Sequence, residues 1–441
     1  MDCKQTGEAL PANDVTTHRS VLIDGKNLSL RQGTGVASYA RSLCDNLMAM
    51  GDDVHILYGE DISRYPNPEI SFFDVHAKRR IETLPRLVEY VRGILAPPLP
   101  WALDFANSPL VSAYSERLPS ANMYWNAPGL FDYPRGLLTR GSFASVENVM
   151  SATVAHWTYP VPLKLRHAAN VYTLHDLVPL KLPDTTLDNK KSYFNLLQRI
   201  IEDADLIVTV STQSKRDIHK TFRIKDEKVV NTYQDVQIPE TLLVESEENI
   251  AIALRGLYGL EIGNYLLFYG AIEPKKNVGR LIEAYLASGI TLPLVIVGKD
   301  GWLMERELYL FNRHQKEREP RIIRLEYVTR PQLVYLIRGA RGVVFPSLYE
   351  GFGLPLVEAM LCGTPLLTSN HGAMKEIAAD AALYVDPYDV SAIRDGLRKI
   401  VKDGGLRAEL VSAGRARATD FSSENYRKRL AAAYGSLKLT T

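Results

Sequence analysis

Cysteine is scarce: Cys3, Cys44 and Cys362 are the three in a chain of 441 residues. They are widely spaced and odd in number. No CxxC or Cys/His spacing joins them, so neither a disulfide framework nor a zinc site is expected. A reducing compartment suits them. An excess of charge of one sign is also missing. Lys and Arg number 52 against 51 Asp and Glu, a net charge of +1, and no global field selects nucleic acid as a partner. No uncharged apolar run reaches the ~20 residues of a membrane span. The polar segment from Met1 to Ser20 lacks the apolar core of a signal peptide. A disordered tail over residues 1–18 and a cytoplasmic protein are expected.

What is present is α/β patterning. Short β-branched runs alternate with helical periodicity, the mark of parallel sheets covered by helices. Val21–Asp24 predicts a strand, Gly33-Thr34-Gly35 a glycine loop, and Val36–Met50 a helix with Val36, Tyr39, Ala40, Leu43 and Leu47 at helical spacing. Val54–Tyr58, Asn170–Leu174 and Leu206–Val210 predict further strands. A polar stretch between Gln237 and Asn264 is the candidate domain junction. Beyond it the architecture repeats, with strands at Tyr265–Tyr269, Leu294–Val297, Ile322–Leu325, Gly342–Phe345 and Pro365–Thr368.

The segment from Phe345 to Met360 is the richest in chemistry. It reads as a buried strand, a glycine-bearing loop and a helix opened by Pro355, a residue suited to the first turn. Free amides at Gly351, Phe352 and Gly353 at such a helix start favour an anion such as a diphosphate. Glu350 in the loop and Glu358, placed in the first helical turn, accompany them. Taken singly, each glutamate is more simply a solvated or dipole-complementing carboxylate; the combination is specific. A second loop, Gly270 to Asn277, also links a strand to a helix. It sets Lys276 beside another helix start, with Asn277 as the expected N-cap and Lys275 as a neighbouring charge. His175, at the end of a strand, reads equally well as a structural histidine. His156, in an aromatic cluster, is expected in the core. His371 follows a strand near the same helix. Lys78 to Leu95 carries a basic amphipathic pattern that suits packing on a sheet and also an anionic membrane surface.

Glu350 through Glu358 resembles the Glu-x7-Glu motif of the family-four retaining glycosyltransferases. Gly270 to Asn277 resembles their donor-phosphate loop, Gly33–Val36 their N-terminal glycine loop, and Thr173–Leu177 the His-Asp segment of lipopolysaccharide and exopolysaccharide members. The resemblance runs from about Val21 to the C-terminus. It implies an α/β protein of GT-B fold, two Rossmann-like domains facing an interdomain cleft. The acceptor domain would be 19–240, a linker 241–262, the nucleotide-sugar domain 263–420, and 421–441 a helix packing back on the first domain.

The resemblance also implies roles. Glu350 would lie against the donor sugar, Glu358 on the ribose, and Lys276 on the diphosphate. The amides of Gly351, Phe352 and Gly353 would serve sugar and phosphate, His175 would touch the transferred sugar, and Gly35 would let its loop approach the diphosphate. Tyr327 and Val328 would begin the nucleobase pocket. Ala271 stands where the family commonly has arginine, and Lys275 is the candidate replacement. The family's Asn-Gly pair before the linker is replaced by Asn231-Thr232-Tyr233-Gln234. The expected reaction moves a hexose with retention, the leading donor being GDP-mannose, onto a saccharide or lipid-linked saccharide, with no metal and no cofactor beyond the donor. A hydrolase or epimerase of the same fold, or a silent binding protein, remain as alternatives.

Overall fold

The computed structural model describes residues 18–28, 35–59, 99–103, 118–131, 143–314 and 321–438. Residues 1–17 of the expected tail, Gly33, Thr34 and the basic stretch Lys78–Leu95 lie outside the described residues.

Two parallel sheets carry the molecule. In chain order the first group of strands is β1 (Ser20–Asp24), β2 (Asp53–Tyr58), β3 (Trp101–Leu103), β4 (Met123–Asn126), β5 (Ala144–Val146), β6 (Val154–Trp157), β7 (Leu163–Leu165), β8 (Ala169–Thr173), β9 (Leu206–Thr209) and β10 (Val229–Asn231). Eight of them form one sheet in the order β10-β9-β8-β6-β1-β2-β4-β3, and β5 pairs with β7 apart. All pairs in the large sheet are parallel except β3 with β4. The second group is β11 (Leu266–Tyr269), β12 (Leu294–Val297), β13 (Ile322–Leu325), β14 (Gly342–Phe345), β15 (Leu366–Ser369) and β16 (Leu383–Val385). These form a wholly parallel sheet ordered β13-β12-β11-β14-β15-β16. The central strands are buried along their length, Leu294–Val297 on every residue. That is why they read as continuous apolar runs rather than alternating ones.

In each sheet the chain winds outward from one central strand, then returns to its other side. The reversal falls between β11 and β14 in the second sheet and between β1 and β6 in the first. Loops leaving the carboxyl ends of such strands diverge and open a crevice. The helices that matter for those crevices are α1 (Gly35–Ala49), α2 (Thr212–Thr221), α3 (Val278–Leu286), α4 (Arg330–Gly339), α5 (Leu354–Leu361), α6 (Gly372–Ala378) and α7 (Ser423–Gly435). Helix α1 turns Ala37, Tyr39, Ala40, Leu43, Cys44 and Leu47 into the core, the face its periodicity predicts.

The polar junction is structured. Glu240–Leu243 and Glu247–Tyr258 are helical, with Ile250 and Leu254 buried. Arg338 of α4 donates to the carbonyls of Leu242 and Glu245, both at 2.8 Å. This segment therefore packs against the second sheet's helices. Tyr233 takes a left-handed backbone (φ 55°) in the segment that stands in place of the family's Asn-Gly pair. The conformation is held by Asn231, whose Oδ1 accepts from the Tyr233 amide at 2.8 Å, and by the edge contact of the Tyr233 ring with Phe421. Helix α7 returns to the first sheet, where Tyr434 meets His156 and Arg427 donates to Asn46 of α1. Among the described residues no helix is long and apolar enough to cross a membrane.

Candidate active site

Lys276 and Glu350 meet at the reversal of the second sheet. Lys276 ends the short 3-10 turn after β11, and Glu350 lies in the loop after β14. Their Nζ–Oε1 distance is 2.6 Å, with both side chains largely buried. The ammonium also lies 4.8 Å from the centroid of the Phe345 ring. Burial alone would raise the Glu350 pKa. The charges of Lys276 and Lys275 outweigh it and hold the carboxyl below its ordinary value. Lys275 is 3.5 Å from Glu273. Burial depresses its pKa, but Glu350, Asp176 and Glu273 together push it above the usual lysine range. Lys275 therefore stays charged at neutral pH.

The glycine loop after Glu350 serves close approach. A Cβ on Gly351 would stand 2.4 Å from the carbonyl oxygen of His175, on the opposite domain. Gly353 caps α5 with a left-handed φ of 94°, a conformation that favours glycine. Among the described residues, none accepts a hydrogen bond from the amides of Gly351, Phe352 or Gly353. These amides stand at the start of an eight-residue helix, an arrangement suited to an anion. The Phe352 side chain points away into the interdomain core, edge-on to Phe421. Gly35, the first residue of α1, faces Leu354, so the starts of α1 and α5 oppose each other across the cleft.

Glu358 is not in the first helical turn. Helix α5 begins at Leu354, which puts Glu358 a turn further in. It is buried and paired with Arg330 of α4 at 2.5 Å. Arg330 has no signature in the sequence beyond its place after the capping residue Thr329. The two glutamates are thus held by different cations. Asn277 departs from expectation as well. It occupies the residue before α3, but its backbone is left-handed and its side chain makes no cap. Its Nδ2 instead donates to the carbonyls of Pro346 and Pro387, at 3.0 and 2.7 Å, tying three loops of the second sheet together.

His175 faces this group from the first domain. Its Nε2 is 2.9 Å from the Thr158 carbonyl and its ring meets Tyr39 edge-on. Burial holds its pKa below the ordinary value. A neutral ring donating from Nε2 to a carbonyl keeps Nδ1 as an acceptor. His156 is core, as expected. It bonds Tyr434 and Thr173, and burial lowers its pKa to about 3. His371 contacts the Leu348 carbonyl and stacks on Tyr388. Tyr327 is 72% exposed beyond β13, and Val328 is partly buried beside it.

Sequence reasoning did not find the contacts that hold the domains together. The Glu376 carboxylate of α6 accepts from the amides of Thr212 and Gln213 at the start of α2, at 2.7 and 2.8 Å. Ser214 Oγ lies 3.4 Å from the Gly351 carbonyl, to which it donates, Tyr349 donates to Asp217, and Trp302 donates to the Thr185 carbonyl at 2.6 Å. Each joins residues far apart in sequence.

Two doubly wound domains with facing crevices, one lined by paired lysines and helix-start amides, define a glycosyltransferase of GT-B fold. Residues 33–232 match Glycosyltransferase Family 4, and residues 260–417 match Glycosyl transferases group 1. O-antigen chain mannosyltransferase B of Escherichia coli is 33% identical over 270 residues, 60% of this chain and 69% of that protein. Serotype-specific mannosyltransferase WbdA of E. coli is 30% identical over 277 residues, 61% of this chain and 34% of WbdA. Sucrose-phosphate synthase of Thermosynechococcus elongatus shares the fold, with a TM-score of 0.67 at 16% identity over 95% of this chain and 98% of that one. The chain belongs to the family-four, group 1 glycosyltransferases.

Proposed function

We propose that the protein is a retaining mannosyltransferase that moves mannose from GDP-mannose to a hydroxyl of a growing surface polysaccharide or its lipid-linked precursor. The observation that carries this is the Lys276–Glu350 pair, set at the crevice of the second sheet opposite His175. Lys276 would neutralise the charge that builds on the diphosphate as the anomeric C–O bond breaks. Lys275 and the amides of Gly351, Phe352 and Gly353 would share that work. Glu358 would hold the ribose and Gly35 would admit the diphosphate, with Tyr327 and Val328 beside the base. His175 Nδ1 would accept from a hydroxyl of the transferred sugar. Retention follows if the acceptor oxygen attacks from the face the phosphate leaves, its proton passing to a leaving phosphate oxygen. Catalysis is then mainly positioning and charge stabilisation. The relatives' names support the transferred sugar, mannose, and that of O-antigen chain mannosyltransferase B supports the acceptor class. No cofactor is assigned. The basic stretch Lys78–Leu95 is the candidate for peripheral contact with a membrane.

A thermal-shift panel of nucleotide sugars tests the donor. A selective ligand at a hundredfold excess over Kd stabilises the fold by about 2.7 kcal/mol. GDP-mannose should give the largest shift. A UDP-sugar that stabilises while GDP-mannose does not would overturn the donor assignment, and an inverted anomeric configuration in the early product would overturn retention.

A further inference from the structure

Tyr349 stands between Leu348 and Glu350, and both neighbours are held by the second domain. The Leu348 amide donates to the Lys275 carbonyl at 2.7 Å, and Glu350 pairs with Lys276. Tyr349 turns the other way. Its phenol donates at 2.7 Å to Oδ2 of Asp217, on α2 of the first domain. One residue after Glu350, Gly351 lies against the His175 carbonyl. Ser214, one turn before Asp217 on α2, donates to that same carbonyl at 2.7 Å. Helix α2 therefore meets the segment carrying His175 and the loop carrying Glu350 at once.

Asp217 is 1% exposed, and three donors converge on it. Lys181 reaches Oδ1 at 2.7 Å, Gln213 donates to Oδ2 at 3.1 Å, and Tyr349 completes the set. Burial would raise the Asp217 pKa, but the bonds from Lys181, Tyr349 and Gln213 hold it below the ordinary value. A hydrogen bond to an ionised acceptor is shorter and roughly twice as strong as a neutral one. Lys181 ends the short helix Val178–Lys181 that follows His175, so its charge fixes the carboxylate to the His175 segment. An apolar contact here would let the loop slide against the first domain. A bond to a fixed carboxylate sets one distance, and a misplacement of about 1 Å in a reacting site can cost about a hundredfold in rate.

We propose that Tyr349 and Asp217 are positioning residues for transfer: their bond seats the Glu350 loop against His175 and so sets the spacing between the two. This rests on the glycosyl-transfer reading above. The test uses the full chain. Tyr349→Phe keeps the ring and removes the donor, and it leaves Asp217 bonded to Lys181 and Gln213, so no buried charge is stranded. Asp217→Leu removes the acceptor, and Lys181, with a side chain 34% exposed, can turn to water. Asp217→Asn keeps a polar partner for Tyr349. GDP released from GDP-mannose, with methyl α-D-mannopyranoside as acceptor, gives kcat and the donor KM. Tyr349→Phe and Asp217→Leu should each lower kcat by about tenfold or more, with the donor KM within about twofold of wild type. The double variant should lose no more than the worse single one, and Asp217→Asn should recover part of the loss. Wild-type kcat in folded Tyr349→Phe would overturn the proposal, as would additive losses or a change in donor KM alone. Hydrogen exchange read by mass spectrometry follows the contact without turnover. In Tyr349→Phe the peptides covering Leu348–Leu354 and His175–Lys181 should both exchange about threefold faster or more, while β8 and β11 keep wild-type rates. Should wild type release no GDP from GDP-mannose, the donor reading falls and the exchange result decides: faster exchange in both peptides upholds the bond's role in seating the loop, and anything less overturns it. Should Asp217→Leu fail to fold, Tyr349→Phe and Asp217→Asn decide.

Discussion

Replacing Glu350 by glutamine keeps its shape and removes its charge. Lys276 then loses a partner at 2.6 Å, inside a site where both side chains are largely buried. Breaking such a pair costs about 3–5 kcal/mol when nothing replaces it. Glutamine can still accept one hydrogen bond from Lys276, and Glu273 still balances Lys275, so about 2–3 kcal/mol is the expected loss. For domains of this size that corresponds to a fall in Tm of roughly 4–12 °C. Adding Lys276→Met should recover part of it, because the double variant no longer strands a charge; a coupling of about 1–3 kcal/mol is expected. The pH dependence has a definite sign. The Glu350 pKa lies below its ordinary value in the folded protein. Its contribution is therefore present above the unfolded pKa of about 4.3 and lost as pH falls through the folded value. Calorimetry at neutral pH should show the full gap between wild type and Glu350→Gln, and the gap should close in acid. The freed Lys276 should bind GDP at least as well as before, while kcat falls by about a hundredfold or more. A variant that melts with the wild type at neutral pH, or a gap that ignores pH, would refute the reasoning.

Glu358→Ala should mainly raise the donor KM, by roughly 10–100-fold for a lost charged hydrogen bond of about 1.5–3 kcal/mol; an equal fall in kcat with constant KM in steady-state kinetics would contradict this. Gly351→Ala should push the loop off the His175 carbonyl and lower kcat by about a hundredfold, with little change in far-UV circular dichroism; wild-type turnover would show that the close approach is not needed. Activity should survive EDTA, because Lys276, Lys275 and the helix-start amides supply the charge proposed for the diphosphate; loss restored by magnesium or manganese would refute that.

The strands and the donor loop were legible because their signals are local. Continuous apolar runs marked β11, β12 and β14, and Pro355 with its glycines marked the start of α5. Sequence and structure part where one backbone angle decides the outcome. Asn277 looks like a cap by composition, yet its left-handed φ turns the side chain toward Pro346 and Pro387 instead. Glu358 reads as a first-turn residue because Pro355 reads as the opening of the helix, whereas the helix opens one residue sooner, at Leu354 after Gly353. The polar junction conceals helices whose buried residues, Ile250 and Leu254, are few, while Ile252 and Leu257 stay exposed. Arg330, Glu376 and the Asp24–Thr158 contact had no signature at all. Their partners lie 28, 164 and 134 residues away, and no periodicity records a contact of that kind.

Helix α7 has a consequence for how the chain assembles. Tyr434 reaches His156 across 278 positions and Arg427 reaches Asn46 across 381. The first sheet is synthesised early, yet its surface around His156 is covered only when nearly the whole chain has been made. Order of synthesis and order of consolidation are therefore opposed. Contacts of such long sequence separation slow folding and leave apolar surface open to association meanwhile. An isolated first domain would keep that surface open permanently, so dissecting this enzyme into halves calls for a first half that carries α7 with it, spliced ahead of β1 or supplied in trans.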